Sequence, residues 1–237
     1  MDTTVYFIRH SVRFKNTELI ESYRTDQSEL LKNEKIILSV IGERRSEILS
    51  NEEELQNMDV VYTSNCVRTL QTAKYLLDKQ KLKVNIDDRF DERRVGIPNE
   101  GKVSDWYTQQ YLDENYKTVG GESQLEVRNR MYEALMEVVN ANKGKRIAIF
   151  SHGYAITFLL LKWCELENIG SDRILKINFK GEAIFNKRLN SPEVFKLVLL
   201  GTGLTFLAFK LVLDSNNEVK SIENIQFDDL EYDDFNK

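Results

Sequence analysis

Thr4-Val5-Tyr6-Phe7-Ile8-Arg9-His10-Ser11 and Arg146-Ile147-Ala148-Ile149-Phe150-Ser151-His152-Gly153 decide how the rest of the chain is read. Each opens as a short apolar run rich in β-branched and aromatic residues, which fits a strand buried in a sheet. Each then reaches one of the only two histidines in 237 residues. Residues 59–63 form a third such run, ending at Ser64, and residues 83–86 a fourth, shorter one. Between them, residues 38–55 and 68–79 have helical spacing and good helix formers, residues 126–140 show an amphipathic helical pattern, and a helix over 154–166 is expected after His152. Strand alternating with helix predicts an α/β fold: a three-layer α/β/α sandwich with a mostly parallel central sheet, built as one domain over 1–237. Ligands bind such sheets beyond the carboxyl ends of the strands, so His10 and His152 are expected to meet there.

Residues 90–122 interrupt this rhythm with Gly96, Pro98, Gly101, Gly120 and Gly121 around Trp106, Tyr107 and Tyr111. A long stretch of this kind inside a compact domain reads as an insertion over the site, in the manner of a lid. The most apolar part of the chain, residues 194–213, is broken by Lys196 and Lys210, leaving 13 uncharged residues where a membrane span needs about twenty. Its composition and the Gly201-Thr202-Gly203 break suit two strands joined by a turn. The acidic tail, residues 228–234, reads as a solvated end.

The net charge of −5, from 33 basic and 38 acidic residues, argues against general capture of nucleic acid or of an anionic membrane, so any anion site has to be local. Cys66 and Cys164 are too few and too far apart for a disulfide framework or a Cys-x-x-Cys site. The amino terminus lacks the charged and apolar segments of a signal peptide, and a cytoplasmic location is expected.

Two histidines at strand ends suit phosphoryl chemistry. Neutral imidazole keeps a nitrogen lone pair that can attack phosphorus, provided the other nitrogen is held as a donor. Positive charge is then needed around the phosphoryl oxygens, and guanidinium supplies it in a planar fork that matches them. Arg9 adjoins His10, and Arg68 opens a helix just after Ser64, where the helix amino end also favours anions.

The chain resembles the histidine phosphatase superfamily, in its phosphoglycerate mutase-like branch. Arg9-His10-Ser11 is similar to the family's Arg-His-Gly opening, and Leu38-Ser39-x-x-Gly42 to its next helix start. Residues 64–73, Ser-Asn-Cys-Val-Arg-Thr-Leu-Gln-Thr-Ala, resemble Ser-x-x-x-Arg-x-x-Gln-Thr-Ala, and Phe90-Asp91-Glu92 with Gly96 resembles Leu-x-Glu-x-x-x-Gly. Gly120-Gly121-Glu122-Ser123 with Arg130, and Ser151-His152-Gly153, complete the ordered set across residues 4–160. The resemblance implies His10 as nucleophile, Glu92 as general acid, and His152 as stabiliser of the phosphoryl group. It also implies Arg9, Arg68, Asn16 and Gly153 as phosphate ligands, with Arg13 an extra one, and neither metal nor other cofactor. Ser11 departs from the family's Gly, adding a side chain that either donates a further hydrogen bond or narrows the pocket.

Competing chemistries fit less well. A cysteine phosphatase needs an arginine six residues after its nucleophile, where this chain has Thr72 or Gly170. No P-loop is present, Gly201-x-Gly203 lacks the rest of a dinucleotide fingerprint, and two histidines so far apart lack zinc-site spacing. The expected activity is hydrolysis of a small phosphorylated metabolite. A mutase that returns the phosphoryl group, and a binding protein that has lost turnover, are the alternatives. Beside the mutases of the family that the chain resembles, the interval from Glu92 to His152 is short, which favours hydrolysis. Oligomeric state cannot be read from the sequence.

Overall fold

The structure is a computed structural model that describes residues 1–15, 33–96, 103–169, 173–201 and 218–227, with backbone only at 103–105. Its central sheet has six strands: β1 (Thr3–Arg9), β2 (Val60–Thr63), β3 (Val84–Ile86), β4 (Arg146–Ser151), β8 (Glu193–Leu199) and β9 (Val219–Ile225), in the order β3-β2-β4-β1-β8-β9. The first four run parallel, whereas β8 lies antiparallel to both β1 and β9. The helices whose bounds lie within the described residues are α1 (Val40–Leu49), α2 (Val67–Gln80), α3 (Val103–Leu112), α4 (Gln124–Ala141) and α5 (Gly153–Leu160).

Alternation along each strand sorts the core into two layers. Val5 and Phe7 of β1, with Ile147 and Ile149 of β4, pack with Val127, Met131 and Leu135 of α4 and Ile156 and Leu159 of α5. The intervening Tyr6, Ile8, Ala148 and Phe150 pack with Leu49 of α1 and Ala73 and Leu76 of α2. Both faces of β1 and β4 are covered, which is why their sequences read as continuous apolar runs. The expected α/β/α sandwich with a mostly parallel sheet is the observed architecture.

Three boundaries differ from expectation. α1 ends at Leu49 and a short 3₁₀ turn covers Glu53–Leu55, because Ser50 Oγ and Asn51 Nδ2 both donate to the Glu47 carbonyl and close the helix. α5 ends at Leu160 and does not reach Leu166. Residues 165–169 are β5 (Glu165–Ile169) of a separate antiparallel sheet with β6 (Leu175–Phe179) and β7 (Glu182–Lys187), in which Leu166 pairs with Ile177. An apolar stretch buried on all sides carries no periodicity to mark its end, and that hid the break. Finally, β8 matches the first strand expected in 194–213, but its partner β9 lies at Val219–Ile225. The second expected strand and the acidic tail lie outside the described residues. Among the described residues, no helix is long and apolar enough to cross a membrane.

Candidate active site

Parallel pairing sets the geometry. Arg9 is in register with Ser151, so His10 and His152 each leave the sheet one residue later at the same level. Thr63 pairs with Phe150, which brings Ser64 alongside. The two imidazole rings lie edge to face with centroids 5.2 Å apart.

Ser11 carbonyl lies 2.8 Å from His10 Nδ1, the distance at which Nδ1–H donates to it, leaving the lone pair on Nε2. Burial, then the neighbouring Arg68 and Arg9 guanidinium groups, hold His10 well below the ordinary imidazole range, so it stays neutral. The loop is tied down from both sides. Ser11 N–H donates to Thr72 Oγ1, the Val12 carbonyl accepts from Ser39 N–H and Oγ–H, and Gln71 Oε1 accepts from Leu38 N–H. A β-carbon on Gly42 would lie 2.1 Å from the Val12 carbonyl, so only glycine lets α1 approach this loop. These contacts give a physical role to Gly42 and to the Gln-Thr pair after Arg68. Ser11 is fully buried and is not among the positive-φ residues, so the turn it occupies does not demand glycine. Its Oγ has no partner.

His152 is fully buried at the amino end of α5. Arg68 Nη2 lies 2.9 Å from its Nδ1 and, as guanidinium can only donate, fixes Nδ1 as the acceptor; Nε2–H then donates to Ser64 Oγ at 2.8 Å. Burial, then Arg68 and His10, keep its imidazole well below the usual range. Thr69 Oγ1 lies 2.8 Å from Ser64 Oγ and extends the network. Arg68 is nearly buried, and it is also bound by Asn33, through the backbone carbonyl and, at 3.2 Å, through Oδ1.

Arg9 takes its orientation from the last third of the chain: Nη1 donates to the carbonyls of Leu189 and Asn190, each at 2.7 Å. Gly153 lies against its guanidinium, where a β-carbon would come within 3.2 Å of Nε. Gly153 therefore makes room for Arg9 at the start of α5. Arg13 is exposed at the rim, where its charge acts on Arg9, His10 and Arg68. Asn16 lies outside the described residues.

Glu92 stands on the other side of the histidines. Its carboxylate accepts from the backbone N–H of Arg93 (2.9 Å), Ala155 (3.1 Å) and Tyr154 (3.4 Å), which fixes it at the amino end of α5 beside His152. Arg130 holds the turn that carries it, donating to the carbonyls of Arg89, Asp91 and Glu92 while forking onto Glu122. Ser123 caps α4 in a reciprocal box with Glu126, so Gly120 to Ser123 and Arg130 are one supporting structure for Glu92.

Arg93 was not singled out by sequence. It is 2% exposed, with Nε donating to the Glu122 carbonyl at 2.8 Å, and both terminal nitrogens are buried with no partner among the described residues. Its guanidinium carbon lies 5.9 Å from the Trp106 ring, whose Nε1 also lacks a partner. Tyr107 of α3 faces Tyr154 at 6.3 Å, so α3 lines the space beyond Glu92. The only sequence signal was an arginine directly after the proposed acid.

Cys66, Asp91 and His152 bring three possible metal-ligand atoms within 4.8 Å of one another. They fit a cation poorly: both His152 nitrogens are engaged, Arg68 adjoins them, and burial pushes the Cys66 thiol up to about 11.

The chain is similar in sequence and in fold to known proteins. A relative from Yersinia enterocolitica named "Probable phosphoglycerate mutase GpmB" is 31% identical over 131 residues, covering 52% of this chain and 61% of that protein's length. Among solved structures, a mycobacterial glucosyl-3-phosphoglycerate phosphatase superposes with a TM-score of 0.59 at 18% identity, covering 84% of this chain and 91% of that one. The phosphoserine phosphatase of Entamoeba histolytica does so with a TM-score of 0.51 at 18% identity, covering 77% and 94%. At such identities the likeness establishes the fold. Residues 5–179 match the family model of the histidine phosphatase superfamily (branch 1), and the chain belongs to that superfamily.

Proposed function

We propose that the protein is a phosphomonoesterase that works through a phosphohistidine at His10 and acts on a small phosphorylated carboxylic acid. The observation that carries the reading is the state of His10: neutral, with Nδ1 committed to the Ser11 carbonyl and Nε2 without a hydrogen bond among the described residues, between two guanidinium groups. Nε2 attacks phosphorus in line, a N–P bond forms as the ester O–P bond breaks, and Arg9 and Arg68 stabilise the charge on the phosphoryl oxygens. Glu92 gives a proton to the leaving oxygen. The resulting carboxylate then takes a proton from water, which attacks the phosphohistidine and releases inorganic phosphate with His10 restored. His152 holds Arg68 at the phosphoryl site.

The substrate class follows from Arg93. A buried cation with two unpaired donor groups is costly, and an anionic group on the leaving-group side of Glu92 would remove that cost. Relatives named for phosphoglycerate and phosphoserine act on esters that carry a carboxylate close to the phosphate. The reading assigns no metal, and places the insertion carrying α3 as a lid over the leaving group.

The test is a panel of phosphomonoesters assayed with chelator present, using wild type and His10→Ala. Chelator-resistant turnover that is lost in His10→Ala is expected, and turnover that requires added metal contradicts the reading. The mutase name borne by the Yersinia relative favours a second reading, phosphoryl return to the product. Isomer exchange between phosphoglycerates, stimulated by bisphosphoglycerate, would identify it.

A further inference from the structure

We infer that Asn33 is an internal occupant of the phosphoryl-binding edge of Arg68, and that substrate phosphate binds by displacing it. The inference rests on the phosphoryl-site reading above and adds a residue to it.

A guanidinium grips phosphate through edges that present two parallel N–H groups. Arg68 has two such edges, and in this structure both are compromised. The end edge, Nη1 with Nη2, faces Asn33, whose backbone carbonyl accepts from Nη1 and whose Oδ1 accepts from Nη2 at 3.2 Å. The side edge, Nε with Nη2, loses its Nη2 hydrogen to His152 Nδ1 at 2.9 Å, which leaves Nε–H buried and without a partner. No paired edge is left. Two oxygens of one residue on the end edge reproduce the way two phosphate oxygens would sit there, without the charge.

The two ties to Arg68 differ in what phosphate could gain from breaking them. His152 is fixed by its second bond to Ser64 and by its place at the start of α5, so releasing it would disturb the sheet-end geometry. Asn33 sits in the helical turn at 33–35, outside the six-stranded sheet, and among the described residues it is hydrogen-bonded to neither histidine. The same turn carries Glu34, whose charge acts on Asp91 near His152, so it stands over the site and not merely beside it. Asn33 therefore sets the cost of admitting phosphate and holds Arg68 in place before it arrives.

Binding of inorganic phosphate by calorimetry tests this without turnover. Loss of one neutral competitor bond to a charged donor predicts that Asn33→Ala binds phosphate about three- to tenfold more tightly. Asn33→Asp, the same size but charged, should bind it at least about tenfold more weakly, and the deficit should shrink at high salt. In an Arg68→Lys background, where no fork remains, the gain of Asn33→Ala should fall to within about twofold. Weaker binding by Asn33→Ala, or an undiminished effect in the Arg68→Lys background, overturns the assignment. If wild type itself binds no phosphate, the phosphoryl-site reading fails; if it binds and Asn33→Ala is unchanged, only the role of Asn33 fails. Melting curves of each variant confirm that the comparison is made between folded proteins.

Discussion

Around His10, the reacting groups ride on regular structure: Arg9 closes β1 and His10 follows it, His152 follows β4, and Arg68 lies in the first turn of α2. Around Glu92 the groups come from an irregular turn and from α3, held by backbone bonds and by Arg130. The first side commits both His152 nitrogens, the Ser11 backbone and Arg9 Nη1 to the protein itself, and among the described residues it leaves Arg9 Nε, Arg68 Nε and Ser11 Oγ unpartnered close to His10. The second leaves donors open, at Arg93 Nη1 and Nη2 and Trp106 Nε1. On the proposed function, the difference teaches that the open donors at the converging strand ends await the phosphoryl group common to all substrates, while those of Arg93 and Trp106 are left to tell one leaving group from another.

Three perturbations break or sharpen that contrast. Glu92→Gln is expected to lower kcat/KM, which reports phosphoryl transfer to His10, by about 10²- to 10⁴-fold for alkyl phosphates and far less for 4-nitrophenyl phosphate, whose leaving group needs no proton. Equal losses on both substrates, in steady-state assays, would remove Glu92 from the leaving-group side. Arg93→Ala should cut kcat/KM for phosphoserine or 3-phosphoglycerate by about 30- to 150-fold, the loss of a charge-assisted bond of about 2–3 kcal/mol, and leave phosphoethanolamine and glycerol 3-phosphate within a few-fold. Matched losses on acids and alcohols would mean that Arg93 only supports the turn.

The smallest effect is on stability. Burial, partly offset by the Asn65 N–H, raises the Asp91 carboxyl to about 6. Between about pH 4 and 6 the native protein holds a proton that the unfolded chain has lost, so Asp91 lowers stability as pH rises through that window. The buried histidines act in the opposite sense: their folded values are depressed, the unfolded chain takes up protons below about 6.5, and stability is lost as pH falls. Asp91→Asn keeps an oxygen for Asn65 N–H and should raise Tm by about 2–4 °C at pH 7.5, with no gain at pH 4. An equal gain at both pH values would show that charge at Asp91 is not the cause.

The contrast also explains what could be read from sequence. The strand ends carrying His10 and His152 were legible because both faces of β1 and β4 are buried, which writes a continuous apolar run directly before each histidine. The ordered motifs located Arg68, Glu92 and the Arg130 support. Spacing does not reveal partners, so the seat of Arg9 on the carbonyls of Leu189 and Asn190, 180 residues away, was invisible. The β5-β6-β7 sheet was missed because its first strand follows an all-round apolar helix without a sequence break, and β9 because its pairing with β8 is non-local. Arg93 lies in a charged run that no motif marks, and the burial of its two terminal nitrogens without partners among the described residues distinguishes it. Asn33 contributes a backbone carbonyl, which no side-chain pattern records.

The central claim is that phosphorus is carried on His10, and chemical trapping tests it most directly. Enzyme quenched during turnover of a ³²P-labelled phosphomonoester should retain label that survives alkali and is lost in mild acid, located on the peptide containing His10 and absent from His10→Ala. Label that survives acid and is lost in alkali, or label that persists in His10→Ala, would contradict the account.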